Sequence, residues 1–348
     1  MKKFVTSLLA MVMLLSLCTG CGGQKDSSST GDTASAGTPS AETVVLRLAN
    51  SHNAEHITSQ ACQMFADLVN EKTDGRITIE CHFAGELGDE RSTIEQCQFG
   101  GLDFTRVSSG ASAEFAPLMN ALQMPYEYTS VDHLFEVLDG EIGQEVFETF
   151  KDNNLVGITY LHPGSRNFFN SKKEIHTPAD LAGTKIRCME TKTYLAAYAS
   201  LGVNATPMAW GETITSLQQG AIDGMDAPLC VLYANGFADV AAYCDLINLF
   251  YSPLVICMSD ATLNQFDAED QQLLKDCATK AGIAVRENND SWETKMTEEM
   301  TNDGMTIIDQ VDTAAFQEKA SSCYHDADLC AYIGEEYVSE LLSIVGID

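Results

Sequence analysis

Apolar and polar positions follow a repeating order along this chain. Val44 to Ala49 suits a strand, and a helix follows through Lys72 with Ile57, Ala61, Phe65, Leu68 and Val69 on one stripe at helical spacing. Gly75 ends that helix, and Arg76 to Phe83 reads as a second strand with Ile77, Ile79, Cys81 and Phe83 on one face. The rhythm continues through a helix ending at Gly100-Gly101, a strand from Leu102 to Ser108, a helix from Val131 to Leu138 and a strand from Leu155 to Leu161. Next come a strand from Thr184 to Cys188, a helix from Thr193 to Leu201, a helix opened by Gly211-Glu212, and strands near Ile222 and from Leu254 to Met258. After the acid-rich start Asp267-Ala268-Glu269-Asp270, the helical pattern runs to about Asn302, roughly 50 Å at 1.5 Å per residue, with Gly282 as its weak point. Ile307 and Ile308 suggest a last strand, followed by helices containing Tyr324 and Leu341. Alternating strands and helices define an α/β chain, and a helix of that length has a use as a spine across two bodies.

The first 21 residues stand outside this rhythm. Lys2 and Lys3 precede an apolar run from Phe4 to Leu17, too short for a stop-transfer span, which reads as an export signal. In Leu17-Cys18-Thr19-Gly20-Cys21 the small Gly20 precedes Cys21, so Cys21 is the expected lipidated N-terminus; ordinary secretion with Cys21 incidental is the rival reading. Residues 22–43 are mostly Gly, Ser, Thr and Ala and are expected to act as a flexible tether. About 305 residues remain, near the upper limit for one hydrophobic core, so two lobes are expected.

The formal charge of -30 excludes nucleic acid as a partner. Twelve cysteines are present, and with Cys18 and Cys21 set aside ten lie in the body, an even number that in an exported chain invites a disulfide framework. Their spacings are irregular, none of the ten forms a C-x-x-C, and several sit at core phase. Most are therefore expected as free buried thiols, with no metal site. Neither G-x-S-x-G nor H-E-x-x-H occurs and the seven histidines lack ligand spacing, so nothing supports an exported hydrolase, and no enzyme activity or cofactor is expected.

Arg187 interrupts an apolar strand. Its planar fork of five donors fits a carboxylate bidentately, which makes it an anchor for an organic acid; an internal pair with Asp or Glu is the other reading. Around it lie Gly183-Thr184-Lys185-Ile186-Arg187, Leu201-Gly202, Thr206-Pro207-Met208, Gly211-Glu212, Leu217-Gln218-Gln219-Gly220 and Asp223-Gly224. Earlier in the chain come Lys72-Thr73-Asp74-Gly75-Arg76-Ile77 and Leu87-Gly88-Asp89-Glu90-Arg91. In this order and spacing the chain resembles the extracytoplasmic solute-binding subunit, DctP type, of tripartite ATP-independent periplasmic (TRAP) transporters.

The resemblance implies a two-lobed periplasmic-binding-protein-like α/β fold, with a mixed sheet in each lobe and a long helix spanning both. The lobes are expected at 44–163 plus 253–292 and at 164–252 plus 293–348, with crossings near Gly164 and Pro253. It implies capture of a small organic acid by cleft closure and delivery to the TRAP permease subunits, by a monomer held to the membrane through Cys21. Feeding a membrane sensor kinase is the alternative. Pro163-Gly164-Ser165-Arg166-Asn167-Phe168-Phe169-Asn170 matches a family crossing segment, which makes Arg166 the partner of Arg187, a solvated hinge arginine being the other reading. Glu90 corresponds to an acidic residue that reaches ligand hydroxyl or amine groups, or else caps its helix. Arg106 is a second anion candidate, and Trp210 stands where relatives place an aromatic against the ligand, or else packs in the core. Asp226, Glu190 and His52 complete the ligand-binding candidates. Met225 and Ala227 depart from the family pattern, and Ala227 lacks the amide that helps hold the ligand, for which Glu190, Arg106 or water are the candidate replacements. Sugar acids lead, ahead of C4-dicarboxylates and other monocarboxylates.

Overall fold

The computed structural model describes residues 43–347; the signal segment, Cys21 and nearly all of the tether lie outside the described residues. The strands in chain order are β1 (Val44–Asn50), β2 (Ile77–His82), β3 (Phe104–Ser108), β4 (Leu155–Leu161), β5 (Arg166–Asn170), β6 (Ile186–Cys188), β7 (Thr206–Pro207), β8 (Gly224–Pro228), β9 (Tyr243–Phe250), β10 (Leu254–Ser259) and β11 (Thr306–Ile308). They form two mixed sheets, one in the order β2-β1-β3-β10-β4 and the other β11-β9-β5-β8-β6-β7.

The first sheet begins as a parallel unit in which β1 pairs with both β2 and β3, and the helices Ile57–Lys72 and Glu90–Gln98 make the crossovers. Each helix starts where a side chain satisfies an otherwise free backbone donor: His56 accepts from Thr58 N, and Asp89 from Ser92 N. Leu48, Phe65, Ile77 and Phe104 are fully buried between sheet and helix. β10 then returns antiparallel between β3 and β4.

The chain leaves the first sheet after β4 and returns after β9, so residues 162–165 and 251–253 are two crossings between the sheets. A third passage differs from expectation. The helical run breaks into Ala268–Arg286 and Asn289–Asn302, five residues beyond Gly282. Gly282 is instead a contact point: a Cβ there would sit 3.3 Å from Tyr160 O and from Leu161 Cδ2, so its bare backbone lets the helix lie against β4. At the break Asn288 Nδ2 donates to Ala284 O at 2.8 Å, a side-chain bond that competes with helix continuation. Two further expectations shift: Ile222 precedes β8, and Tyr324 lies in the 3-10 turn Ser321–His325. The closing helices Ala327–Ile333 and Glu335–Val345 rest on the Pro117–Gln123 turn, the Lys192–Ser200 helix and the Val131–Leu138 helix. All ten described cysteines are unpaired thiols, eight of them buried. No helix among the described residues is long and apolar enough to cross a membrane.

The three passages meet around one imidazole. His162, on the first crossing, stacks on Tyr251 of the second at 5.6 Å and meets the Phe135 edge at 6.3 Å, while Arg286, at the end of the first helical segment, lies 3.3 Å over Phe135 and pairs with Asp139 at 2.6 Å. Both His162 ring nitrogens are buried without a hydrogen-bond partner. Burial, with the Arg286 charge, pushes its pKa down to about 3. A folded pKa below the unfolded value means that stability is lost as pH falls below about 6.5, by up to about 1.4 kcal/mol per pH unit for this group. His162→Phe should keep the ring stacking and flatten the pH dependence of unfolding free energy between pH 6.5 and 5 by about one proton. Urea unfolding at three pH values measures this, and an unchanged slope would refute it.

Candidate functional site

Arg187 lies on β6, buried and with both strand neighbours parallel to it. Its Nε and Nη2 donate to Met208 O at 2.9 and 2.6 Å, which fixes the plane of the guanidinium, and among the described residues it forms no ion pair. Burial lowers its pKa and the nearby Arg166 charge lowers it further, with Asp226 opposing both.

Arg166, at the start of β5, is answered directly. Its Nε donates to Asp226 Oδ2, its Nη2 donates to Asp226 O at 2.6 Å, and Tyr198 OH donates to Asp226 Oδ1 at 2.8 Å. Burial works against the Arg166 charge, yet the Asp226 carboxylate outweighs it and holds the pKa above the ordinary arginine value. The strand order β5-β8-β6 explains the arrangement, because the strand carrying Asp226 lies between the two strands carrying arginine.

The facing wall comes from the first sheet. Asp89, not Glu90, caps the helix, so the Glu90 carboxylate is free to turn inward. Glu90 Oε1 accepts from Ser51 Oγ and Ser108 N, each at 3.2 Å, and from Arg106 Nη1 at 3.3 Å; Oε2 accepts from Ser108 Oγ at 2.5 Å. Arg106, on β3, also donates through Nη2 to Thr58 Oγ1 at 2.9 Å. It borders the site, but its side chain has no exposed surface. His52 stacks on His56 at 4.2 Å and meets Trp210 edge-on at 5.6 Å, which brings a loop after β1 against the first residue of the helix Trp210–Gln218. Burial, then His56 and the two arginines, depress the His52 pKa well below the usual value, so it stays neutral at pH 7.

A cavity of about 580 Å³ lies between these walls. Arg187, Arg166, Glu90, Arg106, Trp210, Glu190 and His52 border it; Asp226 does not and acts through Arg166. Ala227 presents only a methyl group to it, and Met225 is buried in the core. Ser51, Ser108 and the carbonyl of Met208 escape sequence reading. A serine at a strand end has many uses, and a backbone acceptor leaves no mark on residue type.

Two mixed sheets joined by crossings, with a cavity between them bordered by Arg187, a buried cation without an ion pair among the described residues, make a two-lobed α/β fold with a cleft. The chain belongs to the DctP family: the family model, described as bacterial extracellular solute-binding protein, family 7, matches residues 48–328. It is 35% identical over 256 residues to a solute-binding protein of Verminephrobacter eiseniae, over 74% of this chain and 76% of that one. It is also similar to two solved TRAP periplasmic solute-binding proteins. The one from Roseobacter denitrificans, with bound L-galactonate, is 29% identical with a TM-score of 0.79 over 86% of this chain and 98% of that one. The one from Chromohalobacter salexigens, with bound D-glucuronate, is 28% identical with a TM-score of 0.81 over 86% and 99%.

Removing Asp226 would leave Arg166 buried without its counter-charge. Asp226→Ala should lower unfolding free energy by about 3–5 kcal/mol in denaturant titration, and a change below about 1 kcal/mol would show that the pair does not organise the sheet.

Proposed function

We propose that this protein captures a small sugar acid, a uronate or aldonate, in the cleft and delivers it to a TRAP-type membrane permease. The observation that carries this reading is Arg187, a buried guanidinium oriented by the Met208 carbonyl, without an ion pair among the described residues, at the wall of a cavity large enough for a six-carbon acid. A carboxylate there completes the fork with charge-assisted hydrogen bonds worth about 1.5–3 kcal/mol each. Glu90 and its serines on the opposite wall suit hydroxyl groups, and Trp210 offers a ring for a sugar face or an apolar stem. Relatives with L-galactonate and D-glucuronate bound support the same substrate class.

Capture proceeds by closure. With the last boundary taken at the helix break rather than at 292–293, the body 44–163 plus 253–286 brings Glu90 and Arg106, and the body 164–252 plus 289–348 brings Arg166 and Arg187. The crossings and the helix break take up the motion. Two or three charge-assisted bonds suffice to set the equilibrium, since moving it from 1:99 to 99:1 takes about 5.5 kcal/mol. Cys21, lipidated, would hold the protein at the outer face of the cell membrane beside its permease.

Thermal unfolding against uronates, aldonates, dicarboxylates and neutral sugars tests the reading. An acid at a thousand times its Kd adds about 4 kcal/mol and should raise Tm by several degrees. A shift with neutral sugars alone would overturn it. Arg187→Lys keeps the charge and loses the fork, so acid affinity should fall by more than about tenfold with little change in Tm of the free protein. Calorimetry showing unchanged affinity would remove Arg187 from the site.

A further inference from the structure

We propose that Glu90 sets the charge of the ligand: the cleft takes acids with a carboxylate at one end only and reads the other end as a neutral hydroxyl. This rests on the solute-binding reading above and narrows it.

Three buried guanidinium groups, the buried Asp226 carboxylate and the half-buried Glu90 carboxylate lie around the cavity. Asp226 answers Arg166 and Glu90 answers Arg106, which leaves one uncompensated positive charge, on Arg187. A monoanion cancels it. A dianion closed into the same space leaves one negative charge out of water with no partner, which is the expensive case for a buried ion.

The placement of the groups points the same way. Arg106 is positioned as though to hold a second carboxylate, but Glu90 stands in front of it: the Arg106 side chain has 0% exposure against 14% for Glu90. The second wall therefore presents a carboxylate backed by a cation, neutral in sum and accepting in character. Glu90 Oε1 is already occupied by three donors, whereas among the described residues Oε2 accepts from Ser108 Oγ alone. The remaining lone pair on Oε2 accepts a hydroxyl proton and repels a carboxylate. At the mouth, Arg91 is shared between Glu114 and Glu95, and Asp89 and Glu190 add no positive charge, so the rim supplies no second anchor. His52, which also borders the cavity on this wall, is held neutral at pH 7 by its burial.

Matched acids of one carbon skeleton test the proposal: D-galacturonate with galactarate, D-glucuronate with D-glucarate, and D-erythronate with meso-tartrate, each measured by calorimetry on the purified protein. At least one monoacid is expected to bind at least about 100-fold more tightly than its diacid, as like charges brought together at an interface require. Glu90→Gln keeps the shape, removes the negative charge and should cut that preference by at least tenfold, chiefly through tighter binding of the diacid. Diacid and monoacid bound equally by the unaltered protein would overturn the proposal while leaving solute capture standing, and that comparison does not depend on the variant folding. Equal loss of both ligands in Glu90→Gln would also overturn it, because Glu90 would then serve only to support Arg106. No binding of any acid would instead bring down the functional reading itself.

Discussion

Two arginines buried on the strands that flank β8 are the constraint on which the second sheet depends. Each guanidinium has lost its water, and each lowers the stability of the other's charge. The sheet resolves half of this conflict internally by placing the strand with Asp226 between the strands with Arg166 and Arg187, and by adding the Tyr198 hydroxyl to hold the carboxylate. The other half stays open. Among the described residues Arg187 is tied to a neutral carbonyl and to no carboxylate, an electrostatic imbalance that the proposed bound acid would remove.

The same logic places the site at the carboxyl ends of strands. Ser51 and His52 follow β1, Ser108 ends β3, Met189 and Glu190 follow β6, and Ala227 and Pro228 end β8. In open α/β sheets this end is where connections diverge and leave a crevice. Two helix starts open onto the crevice as well, one led by Glu90 and one by Trp210. The fold supplies the crevice and the directions of approach; the identity of the side chains at a few strand ends supplies the chemistry.

Much of this was legible in the sequence, and what was not has identifiable causes. The helix Val131–Leu138 and the strand Leu155–Leu161 fall where periodicity puts them, because each is a clean pattern between clear breaks. β9 left no such signal: Asp245 is buried within it, bound by Asn170 and by Ile175 N, and Asn248 sits at a positive φ of 47° beside a register shift. The helix break left none either, since it carries no proline or glycine and Gly282 drew attention to the wrong turn. Arg187 could be singled out because a cation in an apolar strand has few explanations. That Arg166 rather than Arg187 takes an internal carboxylate could not, because Asp226 lies 60 residues away and its neighbours are set by strand order.

The whole-chain charge and the buried Arg187 charge have opposite signs, and the difference shapes how the proposed capture can work. A body of formal charge -30 repels any small anion at long range, although with a Debye length of about 8 Å near physiological salt that repulsion fades beyond the first layers of solvent. Electrostatic steering therefore cannot raise the rate of arrival as it does where a cleft and its surroundings share the sign opposite to the ligand. Affinity has to come from slow release. Slow release is what the proposed closure would provide, because an acid held by the Arg187 fork could leave only when the two sheets part.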